Sequence, residues 1–377
     1  MTAAEMHEVP PIPAEVAKLF ELMARHTASD LHLKAGSAPI FRVARTVRRM
    51  ETRPLAGEDV DRLAVGLMTP FQREQYDRMG TVDFAYSLHG VGRFRINVFR
   101  QRGSTSLAAR RVMFDIPTFE ELHLPPGIGH LPGFEQGLVV VSGITGSGKS
   151  TTLASIINQI NVHRRCHILT IEDPIEYLYK DAKSFVNQRE VGIDVDAFKT
   201  ALKYMVREDP DVILIGEMRD AETLETALIA AETGHLVFTT LHSSSAPQTI
   251  GRMLDFFPAD RHEAMRALMY FNLKAVIVQK LLKGAKKEAP LVPSVELMIV
   301  NPSIKKAIRE GEDEKIGDII RSCREEGMQD MNQSLVDLVK SGLVTKEIAL
   351  ESSPNAEQLS MNLKGIFVGG SGGQITG

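Results

Sequence analysis

Two unlike halves of the chain predict an α/β protein, with a small α+β domain in front of a larger parallel-sheet domain. In the first half, short strands alternate apolar and polar residues. In the second, wholly apolar strands alternate with helices, and a glycine-rich turn, GITGSGKS at 143–150, joins the first such strand to a helix. Alternating strands keep one face in water, whereas continuous apolar runs are buried on both faces, as in a parallel sheet flanked by helices.

Residues 13–25 place Val16, Leu19, Phe20 and Met23 on one helical stripe. Short strands follow in SDLHLKAG and PIFRVA, then a helical stretch around 57–79. TVDFAYSL and RFRINVF flank the turn at His89–Gly92 and read as an antiparallel hairpin. One face of it carries Phe94, Ile96 and Val98, and the other carries Arg93, Arg95 and Asn97, a basic face without an internal partner. A further strand at about 104–112 ends in Arg110 and Arg111. The first domain therefore spans 10–114, and the Pro- and Gly-rich stretch 115–137 reads as a linker.

From Leu138 the order is LVVVSG, helix, HILTIE, helix from about 196, VILIGE, helix, HLVFTTL, helix, giving a second domain over 138–302. Residues 303–350 read as amphipathic helices, and 351–377, ending in VGGSGGQITG, as a flexible tail.

Composition bounds the function. The chain of 377 residues is 43% hydrophobic and 24% charged, a globular profile with room for two cores. Its net charge of −4 argues against a general nucleic-acid surface, and no nucleic-acid partner is expected. The start lacks the pattern of a secretory signal, and no apolar run is long enough to span a membrane. Cys166 and Cys323 form no CxxC pair, so a disulfide scaffold or cysteine zinc site is not expected, and the cytoplasm is the expected location.

The chemistry gathers at the carboxyl ends of the apolar strands, where α/β sheets build sites. Gly143, Gly146 and Gly148 let the backbone, with Thr145 and Ser147, wrap a phosphate at the start of a helix. Lys149 is expected to reach the β- and γ-phosphates, and Ser150, next to Thr151, to ligate Mg²⁺. Glu172, Asp173 and Glu176 follow the second strand, with Glu172 or Glu176 as alternative Mg²⁺ contacts through water. In DVILIGEMRD, at 211–220, the place after the strand where many nucleotide hydrolases hold Mg²⁺ with an Asp is Gly216, and Glu217 follows. Glu217 is therefore expected to position the attacking water. His235 and His242 bracket the fourth strand at an odd spacing, which argues against joint metal binding; His242 is the better γ-phosphate sensor.

The set GITGSGKSTT, TIEDPIEY, REDPDVILIGEMRD and AETGHLVFTTLHSSSA resembles the secretion ATPases, and more closely the type IV pilus retraction motors, the PilT/PilU group. SDLHLKAG, GRFRINVF, RMLDFFP, NLKAVIVQKLL and GMQDMNQSLVDLV extend the resemblance over roughly 15–345. It implies a PAS-like first domain, a RecA-like second domain, and a homo-hexameric ring that hydrolyses ATP with Mg²⁺ to retract a pilus. An inner-membrane platform protein and a paralogous retraction ATPase are the implied partners, with the ring peripheral at that membrane. By the same resemblance Glu176 takes the acidic position of the Asp box, Glu217 is the catalytic carboxylate, and His235 and His242 form the His box. Arg95 and Arg110 match the arginines that a neighbouring subunit lends to the site. SIKKAIREGED keeps part of the AIRNLIRE motif of that group, and REEGMQ leans toward the PilU-like branch.

The rival readings are a pilus-extension or type II secretion motor, a RecA-like DNA motor and a GTPase. The first usually carries a four-cysteine zinc module, against two cysteines here. The second needs a basic stripe, and the third an N-K-x-D motif that is absent.

Overall fold

A computed structural model describes residues 9–43, 46–112 and 114–366. The chain divides into two compact units, Met1–Asp115 with Glu176–Leu178, and Ile116–Ile175 with Tyr179–Gly377.

The first unit carries Ala14–Arg25 (α1), Asp30–Lys34 (β1), Ile40–Val43 (β2), Thr46–Arg49 (β3), Gly57–Val65 (α2), Pro70–Met79 (α3), Thr81–Leu88 (β4), Gly92–Gln101 (β5) and Ser104–Arg111 (β6). Its sheet has the order β3-β2-β1-β6-β5-β4 with antiparallel neighbours throughout. The alternation seen in the sequence holds: Val82, Phe84, Phe94, Ile96, Val98 and Leu107 are buried in one cluster with Val16, Phe20 and Met23 of α1. The helical stretch at 57–79 is two helices. Thr69 ends the link between them, accepting from the Gln72 N–H at 3.2 Å while Gln72 Oε1 accepts from the Thr69 N–H at 2.9 Å, with Pro70 at the first helical position.

The second unit carries Gly137–Ser142 (β7), Lys149–His163 (α4), His167–Glu172 (β8), Phe185–Glu190 (β9), Phe198–Met205 (α5), Val212–Ile215 (β10), Ala221–Glu232 (α6), Leu236–Leu241 (β11), Ala246–Leu254 (α7), His262–Asn272 (α8), Leu273–Lys283 (β12) and Leu291–Ile299 (β13). Pro302–Glu310 (α9), Ile316–Ser322 (α10), Met331–Lys340 (α11), Lys346–Ser352 (α12) and Ala356–Leu363 (α13) complete it. The sheet order is β13-β12-β7-β11-β10-β8-β9, parallel except for the β12–β13 edge pair. Successive residues of β7 serve opposite faces: Leu138 and Val140 join one core, Val139 and Val141 the other.

The structure departs from the sequence expectations at three places. β9, an edge strand with exposed Phe185, has no apolar run to announce it. The stretch 116–137 contributes Ile128 and Leu131, both fully buried, to the core under β7 and α4, so it is packed chain and not only a connector. Gly127 is required there, because a Cβ would lie 2.3 Å from the Gly327 carbonyl oxygen. Residues 351–366 are not a flexible tail: α13 buries Leu359 among the core residues of α11 and α12, and the VGGSGGQITG segment lies outside the described residues.

Glu296 on β13 ties two helices together, since its carboxyl accepts from the N–H of Ala246 at 2.5 Å and of Met331, the first residues of α7 and α11. Burial, opposed by those N–H groups, pushes its pKa up to about 7.

Two outcomes are expected. Leu359→Ala should destabilise the protein by about 2–4 kcal/mol in urea unfolding, as for a large core side chain, and an unchanged midpoint would show the C-terminal segment to be unpacked. The raised pKa of Glu296 means that its contribution to stability is present below the pKa of a free Glu and is lost as pH rises through about 7. The loss should be of order 3 kcal/mol, and Glu296→Gln should flatten the stability profile across that window.

Candidate functional site

The loop Gly143–Gly148 leaves β7 and enters α4 at Lys149. Gly143, Gly146 and Gly148 sit at φ 146°, 76° and 89°, backbone that side chains with a Cβ rarely adopt, so the three glycines are what lets the loop curl. Lys149 Nζ lies within the curl, donating to the carbonyl oxygens of Gly143 at 2.8 Å and Ile144 at 3.1 Å. Thr145 and Gly146 are exposed at the tip, Ser147 is buried, and Ser150 and Thr151 stand half-buried in the first turn of α4. A backbone ring of N–H groups, a lysine and a helix N-terminus together make an anion cradle.

Each residue of GEMRD has a separate task. Gly216 continues the ladder of β10 by one residue, its N–H donating to Ile171 O at 2.8 Å. A Cβ there would meet Glu172 Cα and Ile171 O, each at 3.3 Å, so the backbone of β8 leaves no comfortable room for an Asp. Thr240 of β11 grips the segment from the other side: its hydroxyl donates to Gly216 O at 2.7 Å and its carbonyl accepts from Met218 N at 3.0 Å. Met218 is buried, and Asp220 caps α6 by accepting from Thr223 N at 2.8 Å. Glu217 is thus held between two pinned neighbours, with its side chain partly open to solvent.

The carboxylate of Glu217 is braced at both oxygens. His242 Nε2 lies 3.0 Å from Oε1, and Arg219 Nε donates to Oε2 at 2.9 Å. A carboxylate only accepts, so the proton of the neutral imidazole belongs on Nε2. Arg219 also donates to Asp173 at 3.3 Å, and its hydrogen bond to Glu217 raises its already high pKa. His242 follows β11, next to β7 in the sheet, and Ser243 Oγ is 2.7 Å from Ser142 Oγ at the start of the loop. A cavity of about 690 Å³ opens between the loop tip, at Ile144 and Thr145, and the segment His242–Ser244 with Gln248 and Arg252.

The expected site residues separate accordingly. The loop residues, Glu217 and His242 converge. Glu172 is buried, its Oε1 accepting from Thr170 Oγ1 at 2.7 Å and Gln188 Nε2 at 3.3 Å, which braces β8 against β9. Glu176 is exposed and groups with the other unit. His235 does not join the cluster, in correction of the expectation. It precedes β11, at the opposite end of the strand from His242, where its Nδ1 lies 2.8 Å from Ala230 O and 3.3 Å from Thr233 Oγ1 in a structural turn. No cluster of three or more His, Cys, Asp or Glu side chains suited to a metal occurs among the described residues.

Arg219 was not singled out in the sequence, although its place two residues after Glu217 in a turn is a usable signal. Ser243 gave none, because its partners Ser142 and Thr249 meet it only in the fold.

Arg95 and Arg110 lie in the first unit, directly opposite each other in the β5–β6 pairing. The expectation of a face without internal partners is corrected: Arg95 Nε is 3.9 Å from Asp83 and Arg110 Nε donates to Asp30 at 2.8 Å, which Arg42 also approaches at 3.4 Å. Burial pushes the Asp30 carboxyl up, but Arg110 and Ser29, which donate to it, outweigh this and hold it below the usual range.

Residues 133–290 match the family described as "Type II/IV secretion system protein". The "Type IV pilus retractation ATPase PilT" of Pseudomonas aeruginosa is 42% identical over 339 residues, covering 90% of this chain and 98% of that protein. The "Type IV pilus ATPase PilU" of the same organism is 39% identical over 353 residues, covering 93% and 91%. The crystal structure of the pilus retraction motor PilT with bound ADP superposes with a TM-score of 0.84 at 44% identity, covering 91% of this chain and 98% of that one. With such identity sustained over nine-tenths of its length, the chain belongs to the type IV pilus retraction ATPase group, PilT and PilU, of the type II/IV secretion family.

Proposed function

We propose that this protein hydrolyses ATP as a homo-hexameric motor that drives retraction of a type IV pilus. The observation that carries the reading is Glu217, braced by His242 and Arg219 beside a phosphate loop on the same sheet edge. The relatives named for pilus retraction and twitching motility are 42% identical over 90% and 85% of the chain, whereas two type II secretion relatives match over 39% of it at 40% identity and over 69% at 30%, which favours retraction over secretion. In this reading the N-terminal unit is PAS-like and the other RecA-like. The ring would work against an inner-membrane platform protein, alongside a paralogous retraction ATPase. No helix among the described residues is long and apolar enough to cross a membrane, so attachment would come through that partner.

The chemistry follows from the parts. The loop N–H groups and the α4 N-terminus bind the phosphates, and Lys149 exchanges the carbonyls of Gly143 and Ile144 for phosphate oxygens. Glu217 orients the attacking water and accepts its proton; His242 and Arg219 hold the carboxylate in one direction. Hard oxygen donors suit Mg²⁺, and the hydroxyl of Ser150 with the phosphates would hold it, Glu172 contributing through water; the ion would neutralise phosphate charge. Arg95 and Arg110 act on the pocket of a neighbouring protomer, where a guanidinium stabilises charge on the departing phosphate.

Glu217→Gln should lower ATP turnover by about a hundredfold or more while leaving nucleotide affinity within about threefold. Lys149→Ala should lose both turnover and affinity. Normal turnover in the Glu217 variant would remove its assigned role. Arg110→Ala and Glu217→Gln rings should each be inactive, and mixing the two proteins should recover a fraction of wild-type ATPase, since some interfaces then pair an intact Arg110 with an intact Glu217. Mixed rings as dead as their parents, with subunit exchange verified by labelling, would count against arginines acting across the interface.

A further inference from the structure

Gln279 is a fully buried amide in the middle of β12, and nothing in the chemistry above uses it. β12 runs parallel to β7 with Val278 opposite Ser142, so the next residue of each strand meets at the first glycine of the phosphate loop. The approach is close: a Cβ on Gly143 would lie 2.4 Å from the Gln279 carbonyl oxygen, and one on Gly148 would lie 2.8 Å from Gln279 Nε2. The amide is gripped at both ends. Thr152 Oγ1, in α4, donates to Oε1 at 2.8 Å, and Nε2 donates to the carbonyl oxygen of Ser147 at 2.7 Å. The Ser147 carbonyl only accepts, so it fixes the amino end of the amide as the one facing the loop, and the Thr152 hydroxyl then donates to Oε1 and holds the other end.

The consequence lies in the peptide plane between Ser147 and Gly148. A trans peptide is planar, with its C=O and N–H on opposite sides. Drawing the Ser147 carbonyl toward β12 therefore turns the Gly148 N–H away from β12, toward the inside of the curl. The plane is free to flip otherwise, because Gly148 tolerates φ of either sign.

We propose that Gln279 is a positioning residue for nucleotide binding, whose amide, fixed by Thr152, holds the Ser147–Gly148 peptide so that its N–H donates to a phosphate of the bound nucleotide. The inference rests on the reading that the 143–150 loop holds those phosphates. Holding the donor in place before binding spares the nucleotide the cost of ordering the loop.

The test uses the full chain and three substitutions. Gln279→Met keeps volume and loses both hydrogen bonds; Gln279→Glu can still accept from Thr152 but cannot donate to Ser147; Thr152→Val removes the hydroxyl that holds the Oε1 end of the amide. ADP affinity, the rise in Tm with ADP, and KM and kcat for ATP are measured for each. KM for ATP and Kd for ADP should rise about tenfold for both Gln279 variants and by less for Thr152→Val, while kcat falls less than about threefold. Thr152→Val combined with Gln279→Met should be no worse than Gln279→Met alone. Should Gln279→Met fail to fold, Thr152→Val still reads the same affinity. Wild-type KM and ADP affinity in the folded variants, or a loss confined to Tm or kcat, would overturn the assignment and leave the nucleotide reading intact. Wild-type protein that binds neither ADP nor ATP would overturn both.

Discussion

The site depends on the register of one short strand. Val212–Ile215 lies between β8 and β11 with parallel pairing on both sides, and the hydrogen bonds of Gly216 and Met218 carry that order past the strand's end. Glu217 is the residue between them. Its direction is set by backbone bonds to two neighbouring strands and only then by its side-chain partners. A buried parallel sheet is a stiff base for this, because all four residues of β10 are buried and the strand is paired on both sides. Glycine at 216 belongs to the same constraint: a Cβ there would lie 3.3 Å from Ile171 O and Glu172 Cα, so a side chain would press on the backbone of β8, and the carboxylate stands one residue along.

The same sheet edge reaches outward through α7. Ser243 meets the end of β7, Ser245 caps α7 by accepting from Gln248 N, and Ala246 N–H donates to Glu296. Glu296 in turn accepts from the start of α11. The His242 segment and the C-terminal helices are thus attached to one helix N-terminus, where the bond from Ala246 to Glu296 is buried. A carboxyl with a pKa near 7 at that junction makes its strength depend on proton concentration close to neutrality.

The parts legible in the sequence were those with a periodic or conformational signal. The glycine-rich loop showed itself through three glycines between an apolar strand and a helix, and β7, β8, β10 and β11 through runs of mainly apolar residues. β9 stayed hidden because an edge strand with polar faces has no such run. The core role of Ile128 and Leu131 was masked by the surrounding prolines and glycines, which signal a turn whether or not the turn is packed. Partners distant in sequence were invisible in principle: Asp30 and Arg110 are 80 residues apart, and Gln279 and Ser147 are 132 apart. His242, after the fourth strand, was already distinguishable in the sequence from His235 before it; the turn that holds His235 against Ala230 and Thr233 was not.

Under the proposed function, the ion pairs of Arg95 and Arg110 bear on how a shared site can switch. Two guanidinium groups opposite each other on adjacent strands repel, and Asp83 and Asp30 offset that repulsion while the arginines have no anion to bind. The exposed Arg95–Asp83 pair is worth about 0–1 kcal/mol, so handing that guanidinium to a phosphate costs little. The attraction that replaces the pair is stronger, since a dianionic or trianionic phosphate in a water-poor pocket binds a guanidinium more tightly than a surface carboxylate does. Asp30, which is buried, keeps Arg42 and Ser29 when Arg110 leaves, so it is not stranded as a bare buried charge, and Asp83 keeps Asn97. The aspartates thereby hold the arginines extended from the sheet and release them at small cost, which is what a ring needs if each pocket is to be completed and opened once per turnover.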